Sequence, residues 1–296
     1  MQLVFLWSSA IKTNMADESI SSREKTIFDL PRQDIVFDKI FNNLSLDEIF
    51  KCRRVCKDFK NLCEGYFKTM KKIDINNVLR PSIMTSGILE QITVENSSLN
   101  AIILRNPRFL LEDWVLVNIF SRNPSLQKLD LSGCRMLTSV VIVKLATFCP
   151  LLRELILCGC LWVSPQSLIK VFQSCLCLER VDLTRCSRTN ADCIKILAQH
   201  APKLKFISLN YCTGMTDECM ATLASCCPHI THVGISGCVY LTDSCLKTLA
   251  AKCPNLCCVE VEGCNSMTKE GIYVLWERGI KTDVQREFLE NSKFWS

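Results

Sequence analysis

Six cysteines, Cys134, Cys160, Cys186, Cys212, Cys238 and Cys264, follow one another at intervals of 26 residues without a slip. A disulfide framework imposes no such spacing, whereas a repeated structural unit does. Aligned on these cysteines, every unit carries three apolar positions: Leu126-Leu129-Leu131, Leu152-Leu155-Leu157, Leu178-Val181-Leu183, Leu204-Ile207-Leu209, Ile230-Val233-Ile235 and Leu256-Val259-Val261. The end of each set alternates as a half-buried strand does. Four residues past each cysteine stands Thr138, Ser164, Asn190, Thr216, Thr242 or Thr268, residue types that cap helix N-termini. Helical spacing follows, pairing Ile142 with Leu145, Leu168 with Val171, Ile194 with Leu197, Met220 with Leu223, Leu246 with Leu249 and Ile272 with Leu275. Pro150, Pro202, Pro228 and Pro254 stop four of these helices, since proline cannot continue one. The pattern predicts an α/β solenoid of one short strand, one cap and one helix per unit. Its strands stack in parallel about 4.8 Å apart on a concave face, and its helices fan out on the convex side. Leu99-Ile102-Leu104 and Met70-Ile73-Ile75 predict degenerate units in front, giving a solenoid over 67–284 whose open end is covered by the stretch after Ile280.

The cysteines themselves suggest little chemistry. The chain has 21 of them in 296 residues, an odd number in a long chain with no export signal. Zinc requires ligands at close spacing such as Cys-x-x-Cys, which the sequence lacks, and only three histidines are present. Stacked repeats bring equivalent cysteines near one another, but each interior one then has two equal neighbours, and cytosolic thiols stay reduced. A buried thiol packing as a small apolar group is the expectation. Asn43-Leu44-Ser45 and Asn96-Ser97-Ser98 match glycosylation acceptors by pattern and are expected to be unmodified. The net charge of +5 is small and diffuse, so nucleic-acid binding is not expected. No run of eighteen apolar residues predicts a membrane span. Residues 1–25, rich in Ser, Asn and charge, are expected to be a disordered leader with an alternative start at Met15, and 285–296 a C-terminal tail.

Residues 26–66 obey another rule. Leu30-Pro31 opens a helix with proline in its first turn, and Ile35, Val36, Ile40 and Phe41 form a stripe ending at Leu44. Ser45 with Glu48 three residues on predicts a capping box before Ile49 and Phe50. A third helix carries Val55, Phe59 and Leu62. A three-helix core this small is marginal alone and is better satisfied against a partner. The string Leu30-Pro31-x-x-x-Ile35, Ile40, Leu44, Ile49, Arg53-x-Val55-Cys56-Lys57-x-Phe59, Leu62 resembles an F-box, and the repeats resemble the cysteine-containing class of leucine-rich repeats, in which Cys stands where other classes have Asn. The resemblance implies a three-helix F-box in front of a leucine-rich-repeat horseshoe. It further implies a substrate receptor of an SCF-type ubiquitin ligase, bound to a Skp-family adaptor and through it to a cullin-RING scaffold. By the same resemblance Leu30, Pro31, Ile35, Ile40, Leu44, Val55, Cys56 and Phe59 lie at or beneath the adaptor contact.

No Gly-rich phosphate loop, Gly-x-Ser-x-Gly elbow or His-Glu-x-x-His motif is present, so neither catalysis nor a cofactor is expected. The alternatives are a free-standing repeat scaffold that binds one protein partner, and a hydrolase using His232 with a cysteine as a nucleophilic dyad. Localisation is expected in the cytoplasm, with the nucleus open. Alternate strand residues face the concave side, and three successive repeats place Arg180, an outward Phe206 and His232 there. Arginine and aromatic residues anchor protein interfaces, so these three form the candidate substrate contact, widened by Trp162, Tyr211 and Tyr240 in the adjoining turns.

Overall fold

The computed structural model describes residues 26–75, 85–107 and 110–285. The expected leader at 1–25, with Met15, lies outside them, as does the tail beyond residue 285. The N-terminal unit begins with a tight turn, Ile27–Asp29, and a helical segment, Arg32–Ile40. The sequence predicts an ordinary helix there. The segment instead winds wide from Pro31, whose carbonyl accepts from both Ile35 N and Val36 N at 3.2 Å. Val36, Phe37, Ile40 and Phe41 all point inward, and the Phe37 and Phe41 rings pack on Tyr66 at 5.7 and 5.3 Å. Helix α1 (Leu46–Cys52) carries the expected capping box, with Ser45 N donating to Glu48 Oε2 at 2.8 Å and Glu48 N to Ser45 Oγ at 3.3 Å. Helix α2 (Lys57–Thr69) is capped by Cys56, whose sulfur accepts from Phe59 N at 3.5 Å.

Two residues after α2 the chain enters β1 (Lys72–Asp74), the first of nine parallel strands paired strictly in chain order. The others are β2 (Ala101–Ile103), β3 (Lys128–Asp130), β4 (Glu154–Ile156), β5 (Arg180–Asp182), β6 (Phe206–Ser208), β7 (His232–Gly234), β8 (Cys258–Glu260) and β9 (Lys281–Thr282). Helices α3 (Ser86–Thr93), α4 (Asp113–Arg122), α5 (Ser139–Phe148), α6 (Pro165–Ser174), α7 (Ala191–His200), α8 (Asp217–Cys226), α9 (Asp243–Lys252) and α10 (Lys269–Glu277) alternate with them. The register is constant: Leu129, Leu155, Val181, Ile207, Val233 and Val259 stand side by side, all fully buried. Each predicted cap accepts from a backbone N–H of its helix, and each predicted helical pair is buried. One core runs from the N-terminal unit through the solenoid. The buried Asn96 amide ties the two together by donating to Phe67 O (2.6 Å) and Met70 O (3.0 Å), so this glycosylation-pattern asparagine is enclosed.

Carboxylates at helix starts join repeat to repeat. Asp217 accepts from Thr242 N (3.0 Å) and Thr242 Oγ1 (2.6 Å), and Asp243 accepts from Thr268 N (2.8 Å) and Thr268 Oγ1 (2.6 Å). Asp113 grips Thr138 in the same way. At the C-terminal edge the Asp283 carboxylate accepts from Val261 N (2.7 Å), Glu262 N (3.2 Å) and Ser236 Oγ (2.9 Å), covering donors of an otherwise open sheet edge.

The cysteine column does more than fill space. Each thiol donates to a carbonyl of the preceding repeat: Cys134 to Leu104 (3.2 Å), Cys160 to Leu131 (3.0 Å), Cys186 to Leu157 (3.0 Å), Cys212 to Leu183 (3.1 Å), Cys238 to Leu209 (3.2 Å) and Cys264 to Ile235 (3.0 Å). The buried thiol expected from the sequence is found at every position of the column, and its hydrogen bond adds to that packing as a second donor, since Leu131, Leu157, Leu183, Leu209 and Ile235 O already accept from the backbone N–H three residues on. All 21 cysteines are free thiols. Cys212→Ala is therefore expected to destabilise by about 1–2 kcal/mol, cavity and lost hydrogen bond together. The exposed Cys257→Ala is expected to change stability by less than about 0.5 kcal/mol. Equal urea midpoints for the two variants would contradict this account of the column.

Candidate functional site

The constant register decides what meets on the concave face. Arg180, Phe206 and His232 occupy the first position of three neighbouring strands. Strands about 4.8 Å apart suit planar side chains that lie face to face. The Arg180 guanidinium carbon sits 3.4 Å from the Phe206 ring centroid, and the His232 imidazole stacks on the other face at 4.4 Å with an 8° interplanar angle. From the third position of β8, opposite Gly234, Glu260 reaches across to this row: its Oε1 lies 2.9 Å from His232 Nε2 and its Oε2 accepts from Asn210 Nδ2 at 2.5 Å. Gly234 makes room for this crossing, since a Cβ there would fall 2.7 Å from Ser208 Oγ and 2.9 Å from Asn210 Oδ1.

Two expectations change here. Phe206 does not project freely; it is half-buried between a cation and an imidazole. The proposed His232–cysteine dyad is also absent, because His232 Nε2 faces a carboxylate. Its cross-strand neighbour Cys258 has its thiol pushed up by burial and by Glu260, which keeps that sulfur protonated and poorly nucleophilic. Among the described residues no group of three or more His, Cys, Asp or Glu is placed to hold a metal ion, and no helix is long and apolar enough to cross a membrane.

The rim beside the strands carries a second departure from regularity. The residue before each column cysteine is left-handed, and in four repeats it is glycine: Gly133, Gly159, Gly237 and Gly263, with φ from 70° to 73°. The other two repeats place Arg185 and Tyr211 there, both at φ 60°. An L-residue in this region costs about 1–2 kcal/mol. Arg185 lies over the Tyr211 ring at 5.1 Å, and Gly237 leaves space for that ring, as a Cβ there would come within 2.5 Å of Tyr211 Cδ1. Sequence reasoning passed over Arg185, although the glycine column with two exceptions is visible in the alignment of repeats. Of the remaining predicted contacts, Tyr240 is exposed on its turn, whereas Trp162 turns inward and donates its indole N–H to the Cys134 carbonyl.

The N-terminal unit offers a separate surface. Leu30, Ile40 and Leu44 are buried and lie beneath it; Ile35 and Phe59 are partly buried; Pro31, Cys56 and Val55 are exposed, Val55 by 68%. Phe28, which the sequence reading did not single out, is 41% exposed and meets Phe59 edge to face at 5.1 Å. Phe28, Pro31 and Val55 are thus the apolar side chains that this unit leaves open to solvent.

Residues 27–66 match the F-box domain family. Joined to the nine-stranded repeat sheet, they define the class: a leucine-rich-repeat solenoid with an F-box domain at its N-terminal side. Among known proteins, the chain is similar to F-box/LRR-repeat protein 15 of Mus musculus, 29% identical over 120 residues that make up 40% of this chain and 39% of that protein. Among solved structures it is similar to a chain in the crystal structure of the Rad7 and Elc1 complex in yeast. That match has a TM-score of 0.61 at 20% identity and covers 79% of this chain and 60% of the yeast one, a likeness of fold. In both cases the match spans less than two thirds of the relative's length.

Proposed function

We propose that this chain is the substrate-recognition subunit of an SCF-type ubiquitin ligase. The F-box would bind a Skp-family adaptor, and through it a cullin-RING scaffold, while the concave face holds a protein substrate for ubiquitination and degradation. The observation that carries this reading is the continuity of the F-box with the solenoid in one core, the exposed Phe28, Pro31 and Val55 on the first and the Arg180–Phe206–His232 stack on the second. A rigid joint between two binding surfaces suits a subunit whose contribution to rate is proximity, turning a bimolecular transfer into an effectively intramolecular one. The similar yeast chain comes from a complex with a second protein, which fits a chain that works in an assembly.

Tagged protein recovered from cells is expected to carry a Skp-family adaptor and a cullin. Recovery of a partner without either would favour the free-standing scaffold. Replacing Arg180, Phe206 and His232 together by Ala is expected to remove the substrate from the recovered set and leave the adaptor in place. An unchanged partner list in quantitative proteomics would put the substrate contact elsewhere.

A further inference from the structure

We infer that Arg180 and Arg185 are the specificity element of the concave face, each forking a carboxylate on an extended acidic segment of the protein substrate. The inference deepens the receptor reading and rests on it for the existence of a substrate.

The first ground is pairing. Most other cations along the sheet hold carboxylates: Lys72 pairs with Asp74 at 2.9 Å, Arg105 with Asp130, Lys128 with Glu154 at 2.6 Å, and both Arg153 and Lys205 with Glu179 at 2.7 Å, the exception among the described residues being Lys281 on the terminal strand β9. Arg180 and Arg185 pair with none among the described residues, and the surrounding acids are engaged. Glu154 and Glu179 hold the cations just named, Asp182 Oδ1 accepts from Thr184 N at 3.0 Å, and Glu260 holds His232 and Asn210.

The second ground is geometry. Both guanidiniums lie over aromatic rings, Arg180 on Phe206 at 3.4 Å and Arg185 on Tyr211 at 5.1 Å. At 3.4 Å the Arg180 guanidinium lies flat on its ring, which uses its face and leaves free the in-plane N–H edge that grips a carboxylate with two parallel hydrogen bonds, while the exposed Arg185 is held only loosely over Tyr211. The third ground is strain. Arg185 and Tyr211 hold left-handed backbone where four other repeats have glycine, and conformations of that cost persist where a site needs the side chain.

The two arginines belong to one repeat, at the start of β5 and in the turn just past its end, at most roughly 17 Å apart at about 3.3 Å per residue, since the chain turns at Thr184 and Arg185. An occupant that meets both is an extended polypeptide with two acidic side chains. A dianionic phosphate is held by clustered arginines. Here each guanidinium stands alone with the half-buried Asp182 between them, which matches single negative charges.

Selection of random dodecapeptides against the full chain in complex with its adaptor tests this directly. Enrichment of peptides with paired Asp or Glu is expected, with affinity falling roughly tenfold per arginine in the Arg180→Gln/Arg185→Gln double variant. The charge-matched Arg135→Gln/Lys144→Gln variant, at exposed positions elsewhere, is expected to bind as the parent does. Peptides without acidic bias, no selected peptides, or parental affinity in the Arg180→Gln/Arg185→Gln variant would overturn the proposal. So would synthetic versions that bind only with phosphoserine in place of the acid. Adaptor retention in the same samples keeps the two readings apart: acidic selection without adaptor binding sinks the receptor reading alone, and adaptor binding without acidic selection sinks this one alone.

Discussion

Val55→Glu combined with Phe28→Ala is expected to cut adaptor co-purification by at least about thirtyfold, since an interface loses most of its affinity when its central apolar anchors go. Val55 is 68% exposed and Phe28 41% exposed, so neither change opens a hole in the core, and melting and circular dichroism should match the parent chain. Leu30→Ala is a poorer test, although the F-box resemblance points to Leu30-Pro31 first. Leu30 is only 6% exposed and belongs to the core that continues into the solenoid. Truncating it is expected to cost about 2–4 kcal/mol, and a loss of adaptor would then follow from loosened structure. Retention of adaptor by the Val55/Phe28 double variant would turn the N-terminal unit into a cap of the solenoid and remove the basis of the ligase reading.

The solenoid is expected to unfold steeply between about pH 9 and pH 10.5. Burial strips the column thiolates of water and pushes their thiols up: Cys134, Cys186 and Cys238 to about 12, Cys264 to about 11, and Cys160 and Cys212 also upward. In the unfolded chain these groups ionise near 9. A folded pKa above the unfolded one means that the stability is intact below pH 9 and is lost as pH rises toward the folded values. Each such thiol gives a slope of about 1.4 kcal/mol per pH unit, so six acting together give about 8. A domain with about 5–15 kcal/mol in total does not survive that for long. Urea midpoints measured under reductant from pH 8 to 10.5 would return the number of protons released on unfolding. Several are expected; a slope of fewer than two would mean that the thiols are solvated and the column is not a buried ladder.

Most of the architecture was legible in the sequence because a fixed interval of 26 residues obliges every unit to share one geometry. Given that interval, Leu129, Leu155 and their equivalents must face inward, Thr216, Thr242 and Thr268 must start helices, and strands must pair in chain order. The same interval puts Arg180, Phe206 and His232 side by side on neighbouring strands. What they do to one another was not legible. Stacking of Phe206 between two neighbours, the reach of Glu260 from the next strand to His232, and the passage of Asn210 over Gly234 depend on side-chain torsions and on space left by a missing Cβ. Nor could the pattern tell which F-box positions are surface and which are core. Leu30 and Val55 are both apolar residues of a short amphipathic unit, yet Leu30 joins the core at 6% exposure while Val55 is 68% exposed. Periodicity along a chain specifies which residues share a face; which of them remain open to a partner is set by contacts between segments that the sequence does not place next to one another.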